Sequence, residues 1–174
     1  MHKPTWGYWL ALASILVGCI GCDQWTKQIA QERLKGQPPQ SMLGDVLRLE
    51  YAENPGAFLG LGGEMSVAVR WTMLVGVNGV LAAAIGIFLA RQKSRSVVQL
   101  VGCALLLGGA VGNLIDRLWF DCTVIDFLNL GVGPLRTGIF NVADMAIMAG
   151  GTLLVWHSYA PSGPRAAAET SQPT

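Results

Sequence analysis

Charge is what this sequence has least of. Only 13% of its 174 residues are Asp, Glu, Lys or Arg, against roughly 25% in ordinary soluble domains. The formal net charge is +1, so there is no basic excess of the kind that draws a chain to nucleic acid. Histidine is nearly absent: His2 and His157 lie near the two ends. That excludes a His-rich metal centre and an H-E-x-x-H zinc helix. No G-x-S-x-G nucleophile elbow occurs either. The four cysteines are Cys19, Cys22 and Cys103, within apolar runs, and Cys122 in a loop. They do not form a disulfide framework. Cys19-Ile-Gly-Cys22 has redox-pair spacing but no βαβ context, and reads as small apolar packing.

What the chain has instead is long uncharged runs. Trp6 to Cys22, Trp71 to Ala90 and Ser96 to Ile115 contain no charged residue. A fourth run, Met145 to Pro164, has only His157 as an ionisable group, and its apolar pattern begins near Ile139. Each approaches or exceeds the ~18 residues that read as a membrane span. A water-soluble bundle would need a polar face on each helix. The expectation is a mainly α membrane protein with four transmembrane helices.

Two longer polar segments separate the runs. In the first, Leu47, Leu49 and Tyr51 alternate with Arg48, Glu50 and Ala52 between Asp45 and Glu53, the period of a strand. Asn54-Pro55-Gly56 then reads as a turn. A second strand-like run spans Thr123 to Leu130, with Gly131-Val-Gly133-Pro134 as its turn. The two segments are expected to pair into a small extramembrane sheet on one membrane face. Residues 1–160 read as one four-span domain. Residues 161–174, rich in Pro, Ala, Ser and Thr, read as a disordered tail.

Four spans put both termini on one side, together with Lys3, Arg165 and the short link carrying Arg91, Lys93 and Arg95. Dense basic links face the cytoplasm. This places the termini in the cytoplasm and the two long segments outside. A second reading treats Leu16-Val17-Gly18-Cys19 as a lipobox, with Cys19 as a lipidated N-terminus. The apolar run continues past Cys19 to Cys22, longer than a secretory core segment needs.

The remaining polar residues gather at the outer ends of the spans, where ionisable groups are costly unless paired or functional. Asp23 and Lys27 are four apart, and so share a helix face; a plain ion pair would explain them. Gly108 and Gly112 form a G-x-x-x-G that permits close helix contact. Asn113 and Arg117 share a face, with Asp116 beside it; a cap with a snorkelling arginine is the simpler account. Asn141 and Asp144 are three apart at the start of the fourth run, where Asn141 could be only a helix cap. Asp126, between Ile125 and Phe127, could be only a solvent-facing strand residue.

Asp126 and Asp144 nevertheless form a suggestive pair of carboxylates in apolar surroundings at one membrane face. Brought close, two carboxylates share a proton, because both cannot easily ionise. The charged one can take a proton from water and the protonated one can donate to a peptide carbonyl. That is peptide hydrolysis without metal, cofactor or nucleophilic side chain. A small channel or transporter is the rival, but it requires polar groups across the membrane depth rather than at one face.

The ordered set Asp23-Gln-Trp-Thr-Lys27, Asn54-Pro-Gly56-Ala57-Phe58, Gly108-Gly-Ala-Val-Gly-Asn113-Leu-Ile-Asp-Arg117, Val-Ile-Asp126-Phe and Phe140-Asn141-Val-Ala143-Asp144 resembles lipoprotein signal peptidase, also called signal peptidase II. The resemblance covers about residues 6–157. It implies an intramembrane aspartyl endopeptidase with Asp126 and Asp144 as the catalytic pair and with a small extramembrane β-cradle. It implies supporting or substrate-binding roles for Asp23, Lys27, Asn54, Gly56, Asn113, Arg117, Asn141 and Ala143, with Gly56 and Ala143 letting substrate approach. The implied partners are diacylglyceryl-modified prolipoproteins, cut just before the modified cysteine, and membrane lipids. The setting would be the bacterial cytoplasmic (inner) membrane, the protein a monomer, its site at the outer face.

Overall fold

The computed structural model describes residues 6–57, 60–91 and 96–159. The expected tail, Phe58 and most of the basic link lie outside these residues. Along the chain come α1 (Trp6–Leu34), β1 (Gln40–Met42), β2 (Leu47–Asn54), α2 (Val67–Arg70), a π-helical stretch (Trp71–Val77) and α3 (Asn78–Arg91). Then follow α4 (Val97–Trp119), β3 (Val124–Val132), β4 (Leu135–Arg136) and α5 (Val142–Tyr159). Among the described residues, three helical stretches are long and apolar enough to cross a membrane: Trp6–Leu34, Val67–Arg91 and Val97–Trp119. The 18-residue α5 is not among them; Asp144 and His157 fall within it.

α1 corrects an expectation. The charge-free run ends at Cys22, but the helix continues to Leu34. Residues 23–34 contain no Gly or Pro to stop it. Asp23 and Lys27 are taken into the bundle, both buried, rather than lying at a helix end. Termination comes at Gly36, whose φ of 76° suits a left-handed cap.

α4 is the central helix, and small residues let its neighbours close in. A Cβ at Gly108 would lie 2.9 Å from the Cys19 Cβ, and one at Gly112 would lie 2.6 Å from Asp23 Oδ2. The G-x-x-x-G thus seats α1. One residue on from Gly108, on the face toward α5, a Cβ at Gly109 would strike the Ala143 carbonyl. Toward the other end, Leu12, Leu89, Cys103 and Ala104 form an apolar cluster joining α1, α3 and α4.

The sheet runs β1-β2-β3-β4, antiparallel throughout. The two long segments pair as the alternation implied, though the first strand of the second segment continues through Gly131 to Val132. In the β2–β3 register Leu49 faces Leu128 while Ala52 faces Asp126. Two residues of β2 therefore oppose Phe127 alone, which is a β-bulge beside Asp126. Bulges re-aim neighbouring side chains. Past β4 the chain returns to β3: Phe140 donates to the Leu128 carbonyl and accepts from the Leu128 N–H, both at 2.8 Å. That bridge delivers Asn141 to Asp126. Cys122 lies in the turn between α4 and β3, as expected of a loop residue, and is completely buried there.

Candidate active site

Three asparagines aim their amides at two aspartates, and each amide is oriented by a second bond. The Asn54 side-chain oxygen accepts the Gly56 N–H at 2.9 Å, an Asx-turn, so its Nδ2 faces Asp126 Oδ2 at 2.8 Å. The Asn141 oxygen accepts the Asp144 N–H at 2.9 Å, and Asp144 Oδ2 accepts the Asn141 N–H at 3.2 Å. This reciprocal pair is a capping box at the start of α5. It turns the Asn141 Nδ2 onto Asp126 Oδ1 at 2.6 Å. Asn141 is thus both cap and bridge between the carboxylates. The Asn113 oxygen accepts from Lys27 Nζ at 3.0 Å, leaving its Nδ2 to donate to Asp144 Oδ1 at 2.9 Å.

Asp126 is only 2% exposed, so it is no solvent-facing strand residue. Burial is the main force on its carboxyl. Against it work the Asn54 bond and, more weakly, the Asn141 bond, while the charge of Asp144 adds to burial; the pKa is pushed up to about 6. Asp144 is half-buried at the mouth of a cleft of about 220 Å³, lined also by Ala57, Asn78, Ala110, Asn113 and Arg117. On its other side it borders an apolar groove of about 530 Å³ with Leu128, Phe140 and Met148.

Behind the aspartates lies a buried ionic node. Lys27 Nζ is 2.8 Å from Asp23 Oδ2, 2.9 Å from Asp116 Oδ2 and 3.0 Å from Asn113 Oδ1. An ammonium has three N–H donors, and all three are satisfied. Each carboxylate then holds a backbone segment. Asp23 Oδ1 accepts the Ala143 N–H at 2.8 Å, fixing the first turn of α5 next to Asp144. Asp116 Oδ2 accepts the Ile125 N–H at 3.2 Å, fixing β3 next to Asp126. Gln24 Nε2 joins the two, donating to Asp116 Oδ1 at 2.8 Å and Asp23 Oδ2 at 3.2 Å. Lys27 therefore acts on both aspartates through intermediates.

Arg117 Nη2 donates to the Gly56 carbonyl at 3.1 Å, tying α4 to the turn after β2. Its Nε has no partner among the described residues and is buried. Two expectations change. A Cβ at Gly56 would lie 2.5 Å from the Gly60 carbonyl group, so its smallness admits the loop's own backbone. Ala143 is completely buried against α4, so its smallness serves helix packing rather than substrate approach. The structure brings the other named residues together and adds two, Asp116 and Gln24. In the sequence Asp116 reads only as a neighbour of Arg117, and Gln24 carries no signal beyond its place between Asp23 and Lys27.

The signal peptidase (SPase) II family pattern matches residues 15–160. The chain belongs to the signal peptidase II family. It is therefore a protease, a hydrolase. It is 41% identical over 135 residues to a lipoprotein signal peptidase of Sphingopyxis alaskensis, covering 76% of each chain. A lipoprotein signal peptidase of Moorella thermoacetica is 37% identical over 153 residues, covering 87% of this chain and 93% of that one. One from Streptomyces griseus is 36% identical over 155 residues, covering 86% and 74%. A solved structure described as a bacterial membrane enzyme superposes with a TM-score of 0.76 at 23% identity, covering 93% of this chain and 99% of that one. At that identity it speaks for the fold alone. As a signal peptidase II with several apolar helices, the chain is a multi-pass membrane protein.

Proposed function

We propose that this signal peptidase II removes signal peptides from prolipoproteins, cutting before the diacylglyceryl-modified cysteine, with Asp126 and Asp144 as its catalytic pair. The single observation that carries the pair is the set of oriented amides: Asn54 and Asn141 on Asp126, Asn113 on Asp144. In this reading the pair works with one shared proton. A water between the carboxylates loses a proton to the charged one as its oxygen attacks the scissile carbonyl. The protonated one donates to the carbonyl oxygen, giving a neutral gem-diol. Collapse re-forms the carbonyl, breaks the C–N bond and sends a proton to the leaving amine of the modified cysteine. The pair ends as it began, with one proton.

Asp23, Lys27, Asn113 and Asn141 position the aspartates, as traced above. Arg117 and Asn113 line the cleft beside Asp144, and with Asn54 they serve as anchors for the substrate backbone. Gly56 and Ala143 act through the loop and helix contacts they permit. Lipid is accommodated beside the site, because Asp144 borders an apolar groove as well as the polar cleft.

The same reading makes α5 the fourth span. At 1.5 Å per residue its 18 residues extend about 27 Å, close to a ~30 Å hydrocarbon core. Residues 1–160 then form one domain of a monomer. The termini face the cytoplasm, the sheet and aspartates sit at the outer face of the inner membrane, and membrane lipids are the surroundings. The test is cleavage by purified enzyme of matched precursor peptides, with and without the diacylglyceryl group. Two acyl chains, at about 0.8 kcal/mol per buried CH₂, hold the modified precursor at the bilayer. Strong preference for it is expected. Equal cleavage of both would contradict the assignment.

A further inference from the structure

The second membrane stretch contains a feature that the catalytic reading leaves unused. Residues Trp71–Val77 are π-helical, a geometry that is rare and occurs often at functional sites. At its end the backbone N–H of Asn78 turns to the Val75 carbonyl. The Leu74 carbonyl, its ordinary partner in an α-helix, is taken instead by Asn78 Nδ2 at 2.8 Å. This bond fixes the carboxamide. One Nδ2 hydrogen and the side-chain oxygen are left, and among the described residues they have no other partner. Asn78 lines the cleft of about 220 Å³ together with Asn113, Arg117 and Asp144.

Its depth is informative. Asn78 lies eleven residues beyond Val67, about 16 Å along the helix, and shares the cleft wall with Ala110 and Ile147. Asp144, by contrast, is in the first turn of α5. The bond to the Leu74 carbonyl satisfies one N–H; the other N–H and the oxygen are costly at such depth unless they too find a partner. A signal segment rising through the bilayer to the aspartates would pass this level before reaching them. To be cut it must leave its helix, which exposes peptide groups in surroundings without water. A fixed carboxamide with one free N–H and one free oxygen matches a peptide group, acceptor to donor and donor to acceptor.

We infer that Asn78 is a substrate-positioning residue: its side-chain amide pairs with one backbone peptide group of the signal peptide, N-terminal to the scissile bond. This rests on the proposed aspartate site, and it adds a contact that the family motifs above do not contain.

The test is a cycle between enzyme and substrate in purified, bilayer-embedded protein. Diacylglyceryl-modified precursor peptides are made with a single ester in place of one backbone amide, at each of several positions upstream of the cut. The wild-type enzyme should lose about tenfold in kcat/KM at one ester position, the scale of one hydrogen bond in a desolvated site. Asn78→Leu should lose about tenfold on the all-amide peptide and be indifferent to that ester. Asn78→Ser, whose hydroxyl can still reach a carbonyl one turn back, keeps the helix bond without reaching the cleft and should behave like Asn78→Leu. Thermal unfolding temperatures close to wild type would separate lost contact from lost fold. Undiminished kcat/KM in both variants, or ester losses that multiply with theirs at every position, would overturn the assignment. Asp144→Asn, run in parallel, separates the two readings. Wild-type cleavage by that variant would refute the aspartate site, whereas its inactivity alongside a failed cycle would refute Asn78 alone.

Discussion

The two ends of the bundle are held together by different physics. At one end Leu12, Leu89, Cys103 and Ala104 pack through dispersion alone, with Tyr8 donating to the Leu89 carbonyl at the margin. At the other, Asp23, Lys27, Asn113, Asp116, Asp126 and Asn141 are all buried and polar. Apolar packing tolerates exchange of shape for shape. A buried polar network does not, because any unpaired member bears its whole desolvation cost. The apolar end therefore sets stability in small increments, and the polar end sets geometry.

The largest effects should come from the carboxylates themselves. Asp126→Asn or Asp144→Asn should lower cleavage by about 10²–10⁴-fold, the scale of acid–base catalysis, with expression and membrane insertion intact. A chelator should leave the wild-type rate unchanged. Next comes Lys27→Met, which strands Asp23 and Asp116 without a counter-charge. Removing one partner of a buried pair costs about 3–5 kcal/mol, read here as thermal stability. Activity should fall with it, because Ala143 and Ile125 lose their fixed acceptors. Asp116→Asn keeps the shape and one acceptor oxygen, and should fall less far on both measures.

Titration gives a smaller, graded effect. Asp126 has its carboxyl pushed up to about 6, above the ordinary 3.8. Its contribution to stability is present in full below pH 4 and is lost as pH rises through 6. The rate follows the same proton. A profile of kcat/KM should show a basic limb that falls about tenfold per pH unit once the pair gives up its shared proton. Asp144→Asn, inactive but folded, should retain a stability decline across pH 4–6. A stability curve that rises there would place the proton elsewhere. Smallest of all, Leu12→Ala at the apolar end should cost about 2 kcal/mol, the low end for a core leucine. It should leave KM and the pH profile where they were, since the cluster touches none of the amides.

The same contrast explains what could be read from sequence. Uncharged runs announced the helices, and the alternation at Leu47, Leu49 and Tyr51 announced the strand, because burial in lipid or in a sheet imposes a period. The β-bulge opposite Phe127 has no such period, being a register shift between strands far apart in sequence. The length of α1 was missed because Asp23 and Lys27 look like the end of a span until Asp116 and Asn113 are seen to satisfy them. Asp116 itself looked like a bystander to Arg117 for the same reason: its partners, Lys27 and the Ile125 N–H, come from two other elements. The π-helical turn before Asn78 left no mark in a sequence that reads as uninterrupted apolar helix. Motif residues were legible one by one; the direction of each asparagine amide required the folded chain.

The central claim is that Asp126 and Asp144 form one device rather than two separate contributions. Its most direct test is the cleavage rate of a diacylglyceryl-modified precursor by Asp126→Asn, Asp144→Asn and the double variant, each at matched amounts of folded protein. If the pair shares one proton, either single change should remove nearly all activity and the double variant should be little worse than either alone. Substantial cleavage by either single variant, or losses that multiply in the double one, would contradict the account.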